Sequence, residues 1–385
     1  MIPGGTSTGS KRPAAMFGAH PGPGRMRRAA GCRVWDADGR EYLDTTMALG
    51  AVALGYGHPD VVEAITRAAG DGVVGPLPPL VEARLADKLL MWVPGAEGVR
   101  FLKTGAEAVA AAVRIARVYT GRDAVITCGY QGWLDWCQDA PGVPRAVRAL
   151  RTAVAFNDVE GLDRAAAAAG DLAAIVVEPV VDAAPERPWL DALRRVAEAR
   201  GAVLVVDELK TGIRFGPGGA AARYGARPHL VVLGKALGNG LPIAAVAGPR
   251  DLMEAAERTW ISSTLATEYV SLAAAEAVLD ACVRHKAPEA IRMASARFMD
   301  GLTRLAARHD HIVREVKGVP ELCYLAFIDD EASAAVASAA AARGLIFKRS
   351  AYNFMSLAHE DGAVDAALER LDEALGAAGR ADGDS

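Results

Sequence analysis

The sequence is poor in cysteine and in aromatic residues, and it has no apolar run long enough to cross a membrane. Its five cysteines form neither a CxxC pair nor a Cys/His ligand pattern, so we expect no disulfide framework and no metal site. The N-terminal residues lack the apolar stretch of a signal peptide. Together these absences favour a cytoplasmic protein that does not contact membranes.

Charge of one sign is not concentrated anywhere in the chain. Lys and Arg number 43 against 47 Asp and Glu, and the net charge is -4. A nucleic-acid partner is therefore not expected, because nucleic acids bind to basic patches and the sequence has no long run of basic residues. At 385 residues, 51% of them hydrophobic, the chain can bury a large core, and its length favours one large domain with a smaller one.

The middle of the chain, residues 57–285, has the pattern of an α/β domain. Short apolar runs such as AVITC, LAAIVVE, AVLVVD and HLVVLG alternate with helical stretches. Apolar strands separated by helices predict parallel pairing with helices on both faces of the sheet.

The two flanks predict a smaller α+β domain. Residues 1–56 comprise an arm and a hairpin. The first thirty residues predict an irregular arm with little core of its own, and a hairpin around a DG turn follows at 33–44. Residues 286–385 begin with an amphipathic helix reaching Arg308 and continue with strands at IVREVKG and LCYLAFID. A helix at 334–343, a strand at NFMSLA and a closing helix complete the prediction.

Two residues at strand ends carry the strongest chemical signal. Asp207 ends the run VLVVD, and Lys235 follows the run HLVVLG. In open parallel sheets ligands bind beyond the carboxyl ends of the strands, so the two side chains can face one crevice. Singly, Asp207 is as well explained as a turn cap and Lys235 as a surface residue. Together they suit a pyridine cofactor, whose ring nitrogen needs a carboxylate and whose aldehyde needs an amine.

The stretch 203–248 resembles the signature of class III aminotransferases. Its VVDELKTGIRFGPGG matches an Asp-Glu-x-x-Thr-Gly-x-Arg pattern, and GKALGNGLP matches Gly-Lys-x-x-x-x-Gly-x-Pro. The match is closest to the branch of glutamate-1-semialdehyde aminomutase and its aminotransferase relatives. Further segments resemble that branch across nearly the whole chain: IPGGTS, VWDADGREYLD, LGYGHPDVVEA, FLKTGAEAVAAAVRIARVYTGRD, CGYQGWLDW and NFMSLAH.

This resemblance implies a fold-type I enzyme that depends on pyridoxal 5′-phosphate (PLP). Its large domain, 57–285, would hold a mostly parallel sheet of the seven-stranded type, and the small domain would combine 1–56 with 286–385. Lys235 would form the internal Schiff base with PLP, and Asp207 would hold the ring nitrogen. The implied substrates are an amino donor and a carbonyl acceptor, and the implied assembly is a homodimer with shared active sites.

The resemblance assigns Gly105 and Ala106 to the cofactor phosphate. They open a helix, and free amides at a helix N-terminus suit a phosphate. The residues alone are equally well explained by an ordinary helix capped by Thr104.

Further cofactor contacts follow the strands. Tyr130 and Leu209 would cover opposite faces of the pyridine ring, although Tyr130 alone reads as a core or interface residue. Glu178 would lie on the cofactor side, or would be a buried carboxylate bonded to nearby amides. Gln131 departs from the family's usual His and puts any role for an imidazole in doubt.

Thr264 matches the Thr that reaches the phosphate of the neighbouring subunit. The usual Gly-Asn-Pro after it is absent, and the alternative is a helix N-cap, a role that Thr267 also suits. Lys210 lies where relatives vary, either near the ring hydroxyl or in solvent. Lys11 and Arg12 place cations on the arm, either for a substrate carboxylate or simply solvated.

The sequence leaves three reactions open on the same cofactor residues. The departures at Gln131 and after Thr264, with short stretches after Glu178 and before Gly344, favour a biosynthetic aminotransferase over an aminomutase; a racemase is the third alternative. Glycines at 216, 218 and 219 suggest a nicotinamide site, but they lack the strand-glycine-helix setting that a pyrophosphate needs.

Overall fold

The computed structural model describes residues 1–350 and 352–381, which form two compact units. The large unit is Asp60–His285, and the small unit combines Met1–Pro59 with Lys286–Ser385. None of the described helices is both long and apolar enough to pass through a membrane.

The strands, in chain order, are β1 Met26–Ala30, β2 Arg33–Asp36, β3 Glu41–Asp44, β4 Gly98–Leu102, β5 Ala124–Cys128, β6 Arg151–Ala153, β7 Leu172–Val177, β8 Val203–Asp207, β9 Leu230–Leu233, β10 Ala244–Gly248, β11 Val313–Val319, β12 Leu322–Phe327 and β13 Leu345–Ile346. The helices are α1 Pro13–Phe17, α2 Met47–Gly50, α3 Pro59–Gly70, α4 Leu80–Trp92, α5 Gly105–Thr120, α6 Arg145–Arg148, α7 Val159–Ala168, α8 Arg187–Arg200, α9 Gly219–Tyr224, α10 Arg250–Met253, α11 Tyr269–Arg284, α12 Ala287–Arg308, α13 Asp330–Ala342 and α14 Asp361–Ala381. Of these, α2 is a single left-handed turn, because φ is positive throughout it.

The large unit is built on a seven-stranded sheet in the order β4-β10-β9-β8-β7-β5-β6. Strands β9, β8, β7, β5 and β6 pair in parallel, whereas β10 is antiparallel to both of its neighbours. The predicted fold class is thereby confirmed. The individual strands β6 and β10 were not predicted, because RTA is short and IAAVAG is too rich in Ala to stand out as a strand.

Helices cover both faces of this sheet, as the unbroken apolar runs predict. All six residues of β7 are buried. Ala174 and Val176 belong to a core with α5, whereas Ile175 and Val177 belong to a second core with α7 and α8. Because successive side chains of a strand point to opposite faces, a strand covered on both sides has no polar positions. Its polar groups therefore gather beyond its ends.

The small unit holds a sheet in the order β1-β2-β3-β13 and the two-stranded β11-β12. The predicted hairpin at 33–44 is confirmed by antiparallel pairing of β2 with β3. The prediction that the first thirty residues lack core structure was wrong in two respects. Strand β1 pairs with β2, and Phe17 is buried against Val34 and Tyr42.

The predicted strand at NFMSLA was also wrong. This segment has only one bridge, between Asn353 and Cys323. The Phe354 amide donates to the Thr45 carbonyl at 2.7 Å, and the Leu357 amide donates to the Ala53 carbonyl at 2.8 Å. Because its amides bond to different segments, the chain here is irregular. The strand at the edge of the β1-β2-β3-β13 sheet is β13 instead.

Candidate functional site

Four parallel strands of the large unit end side by side and bring the predicted residues into one row. Cys128 pairs with Val177, Val177 with Val206, and Asp207 with Val232. The residues that follow β5, β7, β8 and β9 are therefore neighbours in the order 129–131, 178, 207–210 and 234–235. We call this row the carboxyl edge.

Strand β4 ends at the same edge. It is antiparallel to β10, which is antiparallel to β9, so β4 runs parallel to β9. The turn into α5 therefore lies at the carboxyl edge, separated from Lys235 by the width of β10. This places Gly105 and Ala106 on the same side of the sheet as Asp207, as the strand-end rule for open sheets requires.

Asp207 is a buried carboxylate with one oxygen left without a partner. The residue is 2% exposed. Its Oδ1 accepts a hydrogen bond from the Leu209 amide at 3.0 Å, whereas Oδ2 is buried and has no hydrogen-bond partner among the described residues. Burial and the charge of Glu178 raise the pKa of Asp207 to about 7. A buried acceptor of this kind favours a donor from a ligand.

Lys235 has the properties of a nucleophilic amine. Burial and the charge of Lys210 lower the pKa of Lys235 to about 8, against the attraction of Asp207 and Glu178. Its backbone has φ of 45°, a left-handed conformation that a lysine rarely adopts and that proteins concentrate at functional sites. The residue begins a short 3-10 turn, Lys235–Gly238, and only Gly234 separates it from the end of β9.

Glu178 is the centre of a buried polar cluster. Its Oε1 lies 2.8 Å from the Lys210 Nζ, and these side chains are 5% and 11% exposed. Its Oε2 accepts a hydrogen bond from the Tyr130 amide at 3.0 Å. Of the two explanations that the sequence leaves open for Lys210, the solvated surface lysine is therefore wrong. The missed signal was a pair of opposite charges just beyond two adjacent parallel strands.

The departure at Gln131 has a local explanation. The residue is 4% exposed, and its Nε2 donates a hydrogen bond to the Cys128 carbonyl at 2.7 Å. The amide thus holds the turn that follows β5. The Tyr130 side chain is 64% exposed in the single chain, so its ring is available for contact.

The turn before α5 leaves amides for an anion. Thr104 Oγ1 accepts from the Glu107 amide, and the Glu107 carboxylate accepts from the Thr104 amide at 2.9 Å. This capping box uses the amides of those two residues, and it does not use those of Gly105 and Ala106. The alternative explanation, an ordinary capped helix, and the phosphate role are therefore compatible.

Leu209 ties this turn to the loop of Lys235. A Cβ added to Gly105 would lie 2.5 Å from the Leu209 Cδ1, and one added to Gly234 would lie 2.6 Å from Cδ2. Any larger residue at either glycine would displace Leu209. The Leu209 side chain therefore lies between the turn at Gly105 and the loop of Lys235, and the resemblance predicts that it packs on one face of the ring.

Thr264 is exposed and does not cap a helix, and Thr267 does not either. The N-cap of α11 is Glu268, whose carboxylate accepts from the Ser271 and Val270 amides. Its charge is balanced by the Lys103 Nζ at 2.6 Å. The alternative explanation for Thr264 as a cap was therefore wrong.

The remaining candidates divide between the two units. Arg214 is fully buried and contributes its charge to lowering the pKa of Lys235. Glu208, whose role was missed, accepts from the Ala220 and Ala221 amides and caps α9. Lys11 and Arg12 are exposed in the small unit. Their role remains a prediction.

Comparison with known proteins agrees with this geometry. The family model described as aminotransferase class-III matches residues 18–375. The chain is 34% identical to glutamate-1-semialdehyde 2,1-aminomutase of Gemmatimonas aurantiaca, covering 98% of this chain and 94% of that protein. Among solved structures, a transaminase with PLP bound has a TM-score of 0.89 at 28% identity, covering 100% of this chain and 96% of that one. An omega-transaminase from Sphaerobacter thermophilus has a TM-score of 0.87 at 25% identity, covering 98% and 95%.

The chain therefore belongs to the class III aminotransferase family. The predictions of a fold-type I architecture, of an enzyme and of a PLP-dependent aminotransferase class are confirmed. The roles of individual residues, the homodimer and the substrates are taken up next as proposals.

Proposed function

We propose that this chain transfers an amino group from a donor amine to a separate carbonyl acceptor, with Lys235 and Asp207 as its catalytic residues. The observation that carries this proposal is the buried Asp207 Oδ2 without a donor, on the same strand edge as a lysine whose pKa is lowered to about 8. A protonated ring nitrogen is the donor that this oxygen lacks, so the residues present fit PLP.

Each end of the cofactor has candidate contacts on this edge. The amides of Gly105 and Ala106 donate to the phosphate, aided by the dipole of α5. Tyr130 covers one face of the ring and Leu209 the other. When bound, PLP supplies an aldehyde that captures amines and a ring that withdraws electrons.

The protein's own part in the reaction is proton transfer and charge control. Lys235 in its neutral form accepts the proton from the substrate carbon next to nitrogen and returns it to the cofactor side. Asp207 as a carboxylate keeps the ring nitrogen protonated. Glu178 holds the Tyr130 amide and therefore the start of the loop that carries the aromatic ring.

A homodimer would complete the site. Thr264 is exposed in the single chain and makes no cap, so its hydroxyl is available to the phosphate of a neighbouring subunit. The Glu107 carboxylate at the N-terminus of α5 adds negative charge near that phosphate, which makes a further donor useful.

A second candidate is an intramolecular 2,1-aminomutase. It is supported by the name of the Gemmatimonas aurantiaca protein, which is 34% identical over nearly the whole length of both chains. Every proposed cofactor contact serves both reactions, so the site residues do not separate them.

The test is a half-reaction on the PLP-loaded enzyme. Each of a panel of amines and amino acids is added without an acceptor, and the released carbonyl compound is measured by mass spectrometry. Stoichiometric keto product followed by turnover on adding an acceptor supports the transferase. Conversion of glutamate-1-semialdehyde alone, with no keto product from any donor, would show the aminomutase instead. The Lys235→Ala variant is the control that must give neither.

A further inference from the structure

The carboxyl edge holds a second lysine, Lys210. The proposed reaction uses only Lys235 and gives Lys210 no role. Lys210 Nζ is 2.8 Å from Glu178 Oε1, and both side chains are almost wholly removed from water. Burying an ion pair costs desolvation free energy that its attraction often fails to recover. The pair is therefore poorly explained as a contribution to stability.

The surroundings of the pair suggest a different role. Glu178 would otherwise place an unbalanced negative charge beside Asp207 and Lys235, since it follows the strand adjacent to β8. That charge favours a protonated lysine and a protonated aspartate, and both forms are wrong for the proposed reaction. Lys210 balances it and adds a positive charge that disfavours protonation of Lys235.

We propose that Lys210, held by its ion pair with Glu178, is a positioning residue whose positive charge favours the neutral, nucleophilic form of the Lys235 amine. The inference rests on the proposed function and deepens it. Lys210 need not contact the substrate, because its positive charge acts on the protonation of the Lys235 amine.

The size of the effect decides whether it matters. With the pKa of Lys235 at about 8, about a tenth of the amine is neutral at pH 7. An unperturbed lysine would be neutral in only about one molecule in 2,500. After burial, the charge of Lys210 is the largest cause that lowers the pKa of Lys235, and a neighbouring charge typically shifts a pKa by about 1 to 3 units.

The experiment measures the Lys235 amine directly on the full chain without PLP. Acetic anhydride acetylates only neutral amines, and peptide mass spectrometry quantifies its product on Lys235 between about pH 6 and about pH 10. In Lys210→Gln the midpoint is expected to rise by about one unit, which slows labelling about tenfold at pH 7. Lys210→Arg retains the charge and should keep the wild-type midpoint.

A paired variant guards against misfolding. Lys210→Gln alone leaves Glu178 buried without its partner, so the double variant Glu178→Gln/Lys210→Gln removes both charges. It should raise the midpoint less than Lys210→Gln does, because the charges act on Lys235 in opposite directions and Lys210 has the larger effect. Thermal melts establish which variants are folded.

Two outcomes overturn the inference. One is an unchanged Lys235 midpoint in whichever of the two Gln variants folds. The other is an equal shift in Lys210→Arg and Lys210→Gln, because shape rather than charge would then be responsible. Either outcome leaves the donor half-reaction untouched, so failure of this inference is distinguishable from failure of the proposed function.

Discussion

Two buried aspartates, one in each unit, are equally exposed but differ in how many of their carboxylate oxygens accept hydrogen bonds. Asp44 in the small unit and Asp207 in the large unit are each 2% exposed, and burial raises the pKa of both. Asp44 Oδ1 accepts from the Thr46 amide at 2.7 Å, and Oδ2 accepts from the Tyr56 hydroxyl at 2.6 Å. Within the described part of the chain, Asp207 accepts one hydrogen bond, from the Leu209 amide to Oδ1.

The difference is the one expected between a structural carboxylate and the proposed cofactor-binding one. A carboxylate with both oxygens bonded fixes the chain around it. A carboxylate with one oxygen unbonded is destabilising until a ligand supplies the donor. Burial does not distinguish these two aspartates, whereas the hydrogen bonds of their carboxylate oxygens do.

The largest effect should come from Lys235→Ala. Turnover should fall by at least about 10³-fold, because the proton-transfer group is lost. The measurement is steady-state rate with the donor found in the half-reaction. Lys88→Ala, which removes a surface lysine paired with Asp280, is the matched control and should retain activity. Near-normal turnover in the Lys235 variant would refute its assignment.

Asp207→Asn should harm activity and help stability. Without the carboxylate, turnover is expected to fall by about 10²-fold to 10³-fold. In the cofactor-free chain, the raised pKa means that ionisation of Asp207 destabilises the fold as pH rises from about 4 towards 7. The variant should therefore unfold at a higher temperature than wild type at pH 8, and this gain should shrink towards pH 5. If Asp207→Asn and wild type had the same melting temperature at pH 8 and also at pH 5, the account would be contradicted.

Tyr56→Phe tests the contrasting site. It removes the donor to Asp44 Oδ2 and should lower the free energy of unfolding by about 1 to 3 kcal/mol. Because burial disfavours the charged form, the loss should be larger at pH 8 than at pH 5. Tyr42→Phe, whose hydroxyl donates to the more exposed Asp36, should give a smaller loss in the same denaturant titration.

Gly105→Ala should have the smallest effect. The new Cβ would clash with Leu209 Cδ1 and shift the turn before α5. The affinity for PLP should therefore fall by about tenfold. Fluorescence titration of the cofactor-free chain measures this affinity. Leu209→Ala alone measures the loss of the proposed ring contact. If the clash is the cause, adding Leu209→Ala to Gly105→Ala should weaken PLP binding less than it does in wild type.

The sequence predicted the large sheet and the residues at its carboxyl edge. It did not predict the hydrogen bonds and ion pairs that these residues make. Unbroken apolar runs such as VLVVD leave little choice but a covered strand, so Asp207 had to lie at a strand end. The ion pair of Lys210 with Glu178 depends on two strands adjacent in space but distant in sequence. The irregular NFMSLA segment could not be predicted either, because its hydrogen bonds run to three separate segments.

The most direct test identifies the lysine that holds the cofactor. The PLP-loaded enzyme is reduced with borohydride, digested and analysed by mass spectrometry, so that the covalent link becomes a permanent mass label. The account predicts the label on Lys235 and none on Lys210, although both lie at the carboxyl edge. A label on Lys210, or on a lysine outside the carboxyl edge, would contradict it.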